Sequence, residues 1–259
     1  MMRKIAITFT VTTLVLGVFG AFFRWIQLMN AFDSEGFPIR GAGSSVVLIV
    51  YCVLAAAAIV LLTLMWLGRY DRAVTAETAL GCGSILPLVL GWLLCAAAVA
   101  ASCALLFAAG KSATPVLQRL FGAVGILGGL AIPFLFGRKG GSGAGPMGRS
   151  CAAVLTVFYC LWCVFSYKSA AQSPIVWRYA FEVLAVLVST LGIYNVTAYF
   201  FGAGKPDRAL ITLQLGAFLC ITVTFEQRST PMTVLLAVSA ALQLLLEFLL
   251  ISNMWEKRD

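Results

Sequence analysis

The chain contains no histidine. That absence removes imidazole as a metal ligand and as a general base, and with it every Ser-His or Cys-His catalytic pair. Charge is scarce as well. Only 11% of the 259 residues are Asp, Glu, Lys or Arg, against roughly 25% in a soluble domain. With 18 basic and 10 acidic side chains, a chain that is 61% apolar cannot dress its surface for water. The excess apolar surface must face lipid. No phosphate-cradling G-x-x-x-x-G-K-[ST] run and no helix-borne aspartate pair is present, so the expectation is a protein that is not an enzyme and needs no cofactor or metal.

What the chain has is long apolar runs. A membrane-crossing helix needs roughly 20 predominantly apolar residues, and eight runs qualify: 5–27, 45–67, 84–109, 116–137, 151–168, 175–201, 209–226 and 232–254. The fold class expected is therefore all-α, a polytopic membrane protein of about eight transmembrane helices. Arg3-Lys4 before the first run resembles a signal peptide, but the bulky Phe19 two places before Ala21 is unfavourable for cleavage, so this run reads as a retained helix.

Orientation follows from where Lys and Arg fall. If the N-terminus is cytoplasmic, the inner side holds Arg3, Lys4, Arg69, Arg72, Arg138, Lys139, Arg149, Lys205, Arg208, Lys257 and Arg258. The outer side holds Arg24, Arg40, Lys111, Arg119, Lys168, Arg178 and Arg228. The larger set marks the inner side, which places both termini in the cytoplasm and the protein in the cell membrane. The basic loops then face anionic inner-leaflet lipid, and nothing in the pattern suggests nucleic acid.

The loops repeat. The second run starts at Pro38-Ile39 and ends at Gly68-Arg69-Tyr70-Asp71-Arg72-Ala73; the sixth starts at Pro174-Ile175 and ends at Gly204-Lys205-Pro206-Asp207-Arg208-Ala209. Every position is offset by the same interval. The turns Lys111-Ser112-Ala113-Thr114-Pro115 and Arg228-Ser229-Thr230-Pro231 also correspond. Four spans per unit keep the halves in one orientation, so the reading is a parallel 4+4 tandem repeat: residues 1–137, a Gly-rich cytoplasmic linker at 138–150, and residues 151–259. In the repeated loop, Gly68 and Gly204 are expected to end a helix in the left-handed conformation. Asp71 and Asp207 are expected to cap the next helix, with Arg72 and Arg208 at the inner leaflet.

The same loop resembles the Gly-Asp-Arg loop of major facilitator transporters, although that family has twelve spans and one more residue between Gly and Asp. The segment Phe23-Arg24-Trp25-Ile26-Gln27-Leu28, followed by Phe32-Asp33 and Gly36-Phe37, resembles uncharacterised multi-span bacterial membrane proteins, and that resemblance implies no function.

Ionisable groups at membrane depth are costly and mark candidate sites. Towards the inner side stand Asn195, Gln214, Gln243 and Glu247, a candidate substrate or ion path. Glu247 has only Leu, Phe and Ile beside it in sequence and no basic residue in its own run. Its two readings are a proton- or cation-coupled position and a neutral Glu bonded across a helix interface to Asn195 or Gln214. Towards the outer side, Arg178, Glu182, Arg119 and Asp33 are candidates for a vestibule, Arg178 and Glu182 sharing one helix face. For Arg24, Arg119 and Arg178 the favoured reading is snorkelling to the interface. Gly125 and Gly129 form a small-xxx-small packing ridge, and the eight cysteines, none in an outer loop, read as packing residues.

Two functions remain open. One is a permease-like protein moving a small solute or ion along a path between the halves. The other is a non-transporting scaffold, assembly or sensor subunit with a membrane-protein partner.

Overall fold

The computed structural model describes residues 2–33, 37–39, 41–67, 70–71, 76–111, 115–137, 146–171, 176–224, 226 and 229–256. Eight of its helices are long and apolar enough to cross a membrane. They are α1 (Met2–Asn30), α2 (Gly43–Leu67), α4 (Leu86–Ala108), α5 (Pro115–Ala131), α6 (Pro146–Ala171), α7 (Val176–Phe200), α8 (Pro206–Val223) and α9 (Thr230–Ser252). This is a multi-pass integral membrane protein.

Several helix ends follow from proline. Pro87, Pro206 and Pro231 occupy the first turns of α4, α8 and α9, where their missing N–H costs nothing. Pro133 instead tightens the end of α5 into a 3-10 turn over Ile132–Leu135. The sequence boundaries are shifted by a few residues, most at α6, where residues 146–150 of the expected linker are helical; residues 138–145 lie outside the described residues.

The bundle is organised around its last helix. α9 packs against α1, α4 and α8, and α8 in turn lies along α7, α1 and α2. Two-thirds of the most apolar window of α8 and of α9 is buried, against 22% for α2. α2 therefore presents most of its surface to lipid. Helices α4, α5, α6 and α7 follow one another around the rest of the bundle. Contacts within the two halves differ: α7 runs along α8, whereas the second and third spans of the first half, α2 and α4, make no comparable contact.

Glycines set the closest approaches. A Cβ at Gly17 would come 2.8 Å from Cβ of Ile221, and one at Gly20 would collide with the Thr222 hydroxyl, so the glycine face of α1 seats directly against side chains of α8. On α5 the expected ridge is present and has two faces. Gly122 and Gly129 meet α4, while Gly128 meets the Phe158 ring of α6.

One end of the bundle carries a cap that the sequence reading placed in a loop. A short helix, α3 (Ala76–Leu80), is buried there, with Ala79 at 0% and Leu80 at 1% exposure. The Nδ2 of Asn253 donates to the carbonyls of Ala79 and Gly81, at 3.0 Å each, and the Cys82 N–H donates to the Gly137 carbonyl at 2.7 Å. Beside it, the two-residue strands β1 (Tyr70–Asp71) and β2 (Trp255–Glu256) pair antiparallel.

The repeated loop is built differently from expectation. The left-handed glycine after α7 is Gly202, with φ of 72°, and Gly204 is not in that conformation. Gly204 is glycine for space, because a side chain would strike the Tyr199 ring. Asp207 does not cap α8. Lys205 is the N-cap, and Asp207 lies inside the first turn, where its charge suits the helix dipole. Arg208 is exposed. In the first half Asp71 belongs to β1, and Gly68 and Arg72 lie outside the described residues.

Candidate functional site

Polar side chains inside the bundle gather on one face of α9. Ser239, Gln243 and Glu247 recur every four residues, so they stack along one line facing α8, all at 0–1% exposure. Around this line the other helices each contribute a group.

Glu247 sits where the two halves of the chain meet. Its Oε1 accepts from Nε2 of Gln214 on α8 at 3.0 Å and from the Thr13 hydroxyl on α1 at 3.4 Å. The Oε1 of Gln214 accepts in turn from the Thr63 hydroxyl on α2 at 2.6 Å. Four helices are thus joined through one carboxyl and one amide. The second oxygen of Glu247, buried, has no hydrogen-bond partner among the described residues.

One turn along, Nε2 of Gln243 donates to the hydroxyls of Ser189 at 2.9 Å and Ser239 at 3.0 Å. The Tyr159 hydroxyl donates to Ser239 Oγ at 2.9 Å, bringing in α6. Cys220 lies 3.1 Å from Ser189 Oγ. The Oε1 of Gln243 is buried without a partner and rests against Gly216, whose missing side chain makes the room it occupies. Two buried acceptors on adjacent turns of one helix therefore lack donors.

Asn195 is not part of this cluster. It is half-buried, and its Nδ2 donates to the Thr212 hydroxyl at 3.2 Å. Of the expected path, Glu247, Gln243 and Gln214 belong to one buried region and Asn195 stands apart. Its side chain leaves α7 on the flank that pairs with the start of α8, an azimuth that hydropathy does not encode.

The outer vestibule is not assembled among the described residues. The Asp33 carboxylate accepts from the Phe37 N–H at 2.7 Å and so fixes its own loop, which also carries the Phe32–Pro38 bridge. Arg119 is exposed on α5. Glu182 is fully buried and accepts from the Ser166 hydroxyl at 3.2 Å. The side chain of Arg178 lies outside the described residues.

What stands at that end instead is an ion pair. Arg24 was expected to snorkel, yet it is 1% exposed. Its Nε donates to Oε1 of Glu226 at 2.9 Å, and Nη2 lies 2.7 Å from the same oxygen. Nη1 donates to Oε1 of Gln27, whose Nε2 continues to Ser45 Oγ at 3.0 Å. The guanidinium stacks over Phe181 at 5.0 Å. Gln27, Ser45 and Phe181 also line a half-open cavity of about 260 Å³, together with Phe32, Ile39 and Ile49. Burial wins over snorkelling because a charge partner is within reach.

A signal for this existed. The buried residues of α1 include Thr13, Gly17, Gly20, Arg24 and Gln27, a small or polar stripe at spacings of three and four, while Val11, Val18, Phe19 and Phe22 face outward. The cysteines are all free, and Cys160 is exposed on α6. Compared with models of protein families, with curated proteins and with solved structures, the chain matches none.

Proposed function

We propose that this protein is a permease-like membrane protein, not an enzyme, that moves a small solute or ion and uses Glu247 as its proton- or cation-coupled position. The observation that carries the reading is the setting of that carboxyl. It is enclosed at the junction of α1, α2, α8 and α9, one oxygen is held by Gln214 and Thr13, and the other lacks a donor. Carboxyls at membrane depth are costly and are retained mainly where they exchange a proton or a cation. The path runs along the Ser239–Gln243–Glu247 line, between residues of the first half (Thr13, Thr63) and of the second. The tandem duplication, a body of 1–137 and one of 151–259 joined by the cytoplasmic linker, is a proposal about descent that rests on the loop matches. Both termini in the cytoplasm, with basic loops against anionic lipid, complete the reading.

The test is flux in liposomes holding the purified protein and an internal pH-sensitive dye, with an imposed membrane potential. Proton entry should exceed that of empty liposomes and fall at least tenfold in Glu247→Gln. Asn195→Ala, which stands off the path, should leave it unchanged. Equal flux through Glu247→Gln refutes the coupling role.

A second reading has its own support. Gln214, Thr63 and Thr13 partly satisfy one another around Glu247, as a latch between helices would. A non-transporting membrane subunit with a membrane-protein partner would give no flux above empty liposomes, while Glu247→Gln would still fold.

A further inference from the structure

A second cavity, also about 260 Å³, opens at the end of the bundle that carries the N-terminus of α1. Three distant parts of the chain build it: Arg3 from the first turn of α1, the Gly81–Ser84 turn leading into α4, and Phe248, Ser252 and Asn253 from the end of α9. Among the described residues, its lining has one cation and no carboxylate. Asn253 spends both Nδ2 hydrogens on the carbonyls of Ala79 and Gly81, so it serves as a wall. Among the described residues neither Arg3 nor Ser84 has a side-chain hydrogen bond or ion pair, which leaves their donors free. A guanidinium offers five N–H donors in a planar fork that matches two phosphate oxygens.

We propose that this cavity seats the phosphate of an anionic membrane lipid, with Arg3 as its principal ligand and Ser84 as a second donor. Depth and polarity select a lipid over free phosphate. The cavity lies where α1 and α4 begin and α9 ends, and the ends of membrane-length helices are where headgroups would stand. Its donors stand beside apolar walls, Leu86, Pro87 and Phe248, so a phosphate held by Arg3 leaves the lipid's glycerol and first methylenes against hydrocarbon. Inorganic phosphate would gain the charge contacts and leave those walls bare. The assignment is independent of transport, since neither Glu247 nor Gln243 lines the cavity.

The experiment titrates the purified chain in neutral detergent with phosphatidylglycerol, phosphatidylcholine or inorganic phosphate and reads the thermal midpoint. Phosphatidylglycerol should raise it saturably. Arg3→Gln should weaken the apparent affinity about tenfold, the usual consequence of losing a charge-assisted hydrogen bond, and Arg3→Lys should restore part of it. Arg149→Gln, which removes an exposed cation outside the cavity, should change nothing. Arg3 makes no internal side-chain bond among the described residues, so Arg3→Gln should keep the lipid-free midpoint. The proposal is overturned if no lipid shifts the midpoint, if phosphatidylcholine matches phosphatidylglycerol, or if Arg3→Gln and wild type respond alike. A midpoint raised equally by inorganic phosphate at matched concentration overturns the lipid assignment.

Discussion

Nη2 of Arg24 on the first span lies 2.7 Å from the carboxylate of Glu226, 202 residues further along the chain, and both side chains are shut away from solvent. Removing one partner strands the other charge, which typically costs about 3–5 kcal/mol. Arg24→Gln and Glu226→Gln should each lower the thermal midpoint sharply, and the double variant should recover most of the loss. Midpoints that simply add would show that the pair does not couple.

Glu247 should behave differently, because its partners are neutral. Interhelical hydrogen bonds in bilayers average about 0.6 kcal/mol. Glu247→Gln should therefore stay within about 1 kcal/mol of wild type, and Glu247→Leu, which loses both bonds, should cost about 1–2 kcal/mol. A collapse of Glu247→Gln in a denaturation series would make the carboxyl a structural keystone and weaken the case for coupling.

Packing, by the same comparison, should matter more than that network. A Cβ at Gly128 would stand 2.8 Å from Cβ of Phe158. Gly128→Ala should cost about 1–3 kcal/mol through overpacking between α5 and α6. Gly110→Ala, where nothing lies nearby, is the control for thermal unfolding.

The α3 cap can be read through a thiol. Burial pushes the Cys82 thiol above its ordinary value, so less thiolate exists near neutral pH and alkylation is slow there. Its rate should climb with pH beyond the ordinary thiol range. Asn253→Ala removes the two bonds that hold Ala79 and Gly81, and should speed Cys82 modification at pH 7.5 about tenfold. Site-resolved mass spectrometry measures it, and an unchanged rate would show that Asn253 does not hold the cap.

Span number and polarity were legible from composition and run length, since eight helices cross roughly where eight apolar runs lie. The fate of individual polar residues was legible only where neighbours on the same helix determine it, as for Gln243 and Glu247 one turn apart. The burial of Arg24 is not legible in the hydropathy of the sequence, which gives depth along a helix but no partner across it. The small and polar stripe from Thr13 to Gln27 carried the missing azimuth. Asn195 shows the converse, standing at a plausible depth on a different flank. Loop similarity suggested equivalent halves, yet equal loops do not force equal packing, and α7–α8 has no close counterpart in α2–α4.

The position of α9 also sets a timetable for synthesis. Thr13 meets Glu247 across 234 residues of chain, and the Gly17–Gly20 face of α1 has its seat on α8. At about 5–20 residues per second, α1 waits on the order of 10–50 s after its own synthesis before that partner exists. Throughout that interval α2, made next, is the neighbour α1 has, and Arg24 is without its Glu226 partner. The final docking of α1 is a late, post-insertion step rather than the first event its place in the sequence would suggest.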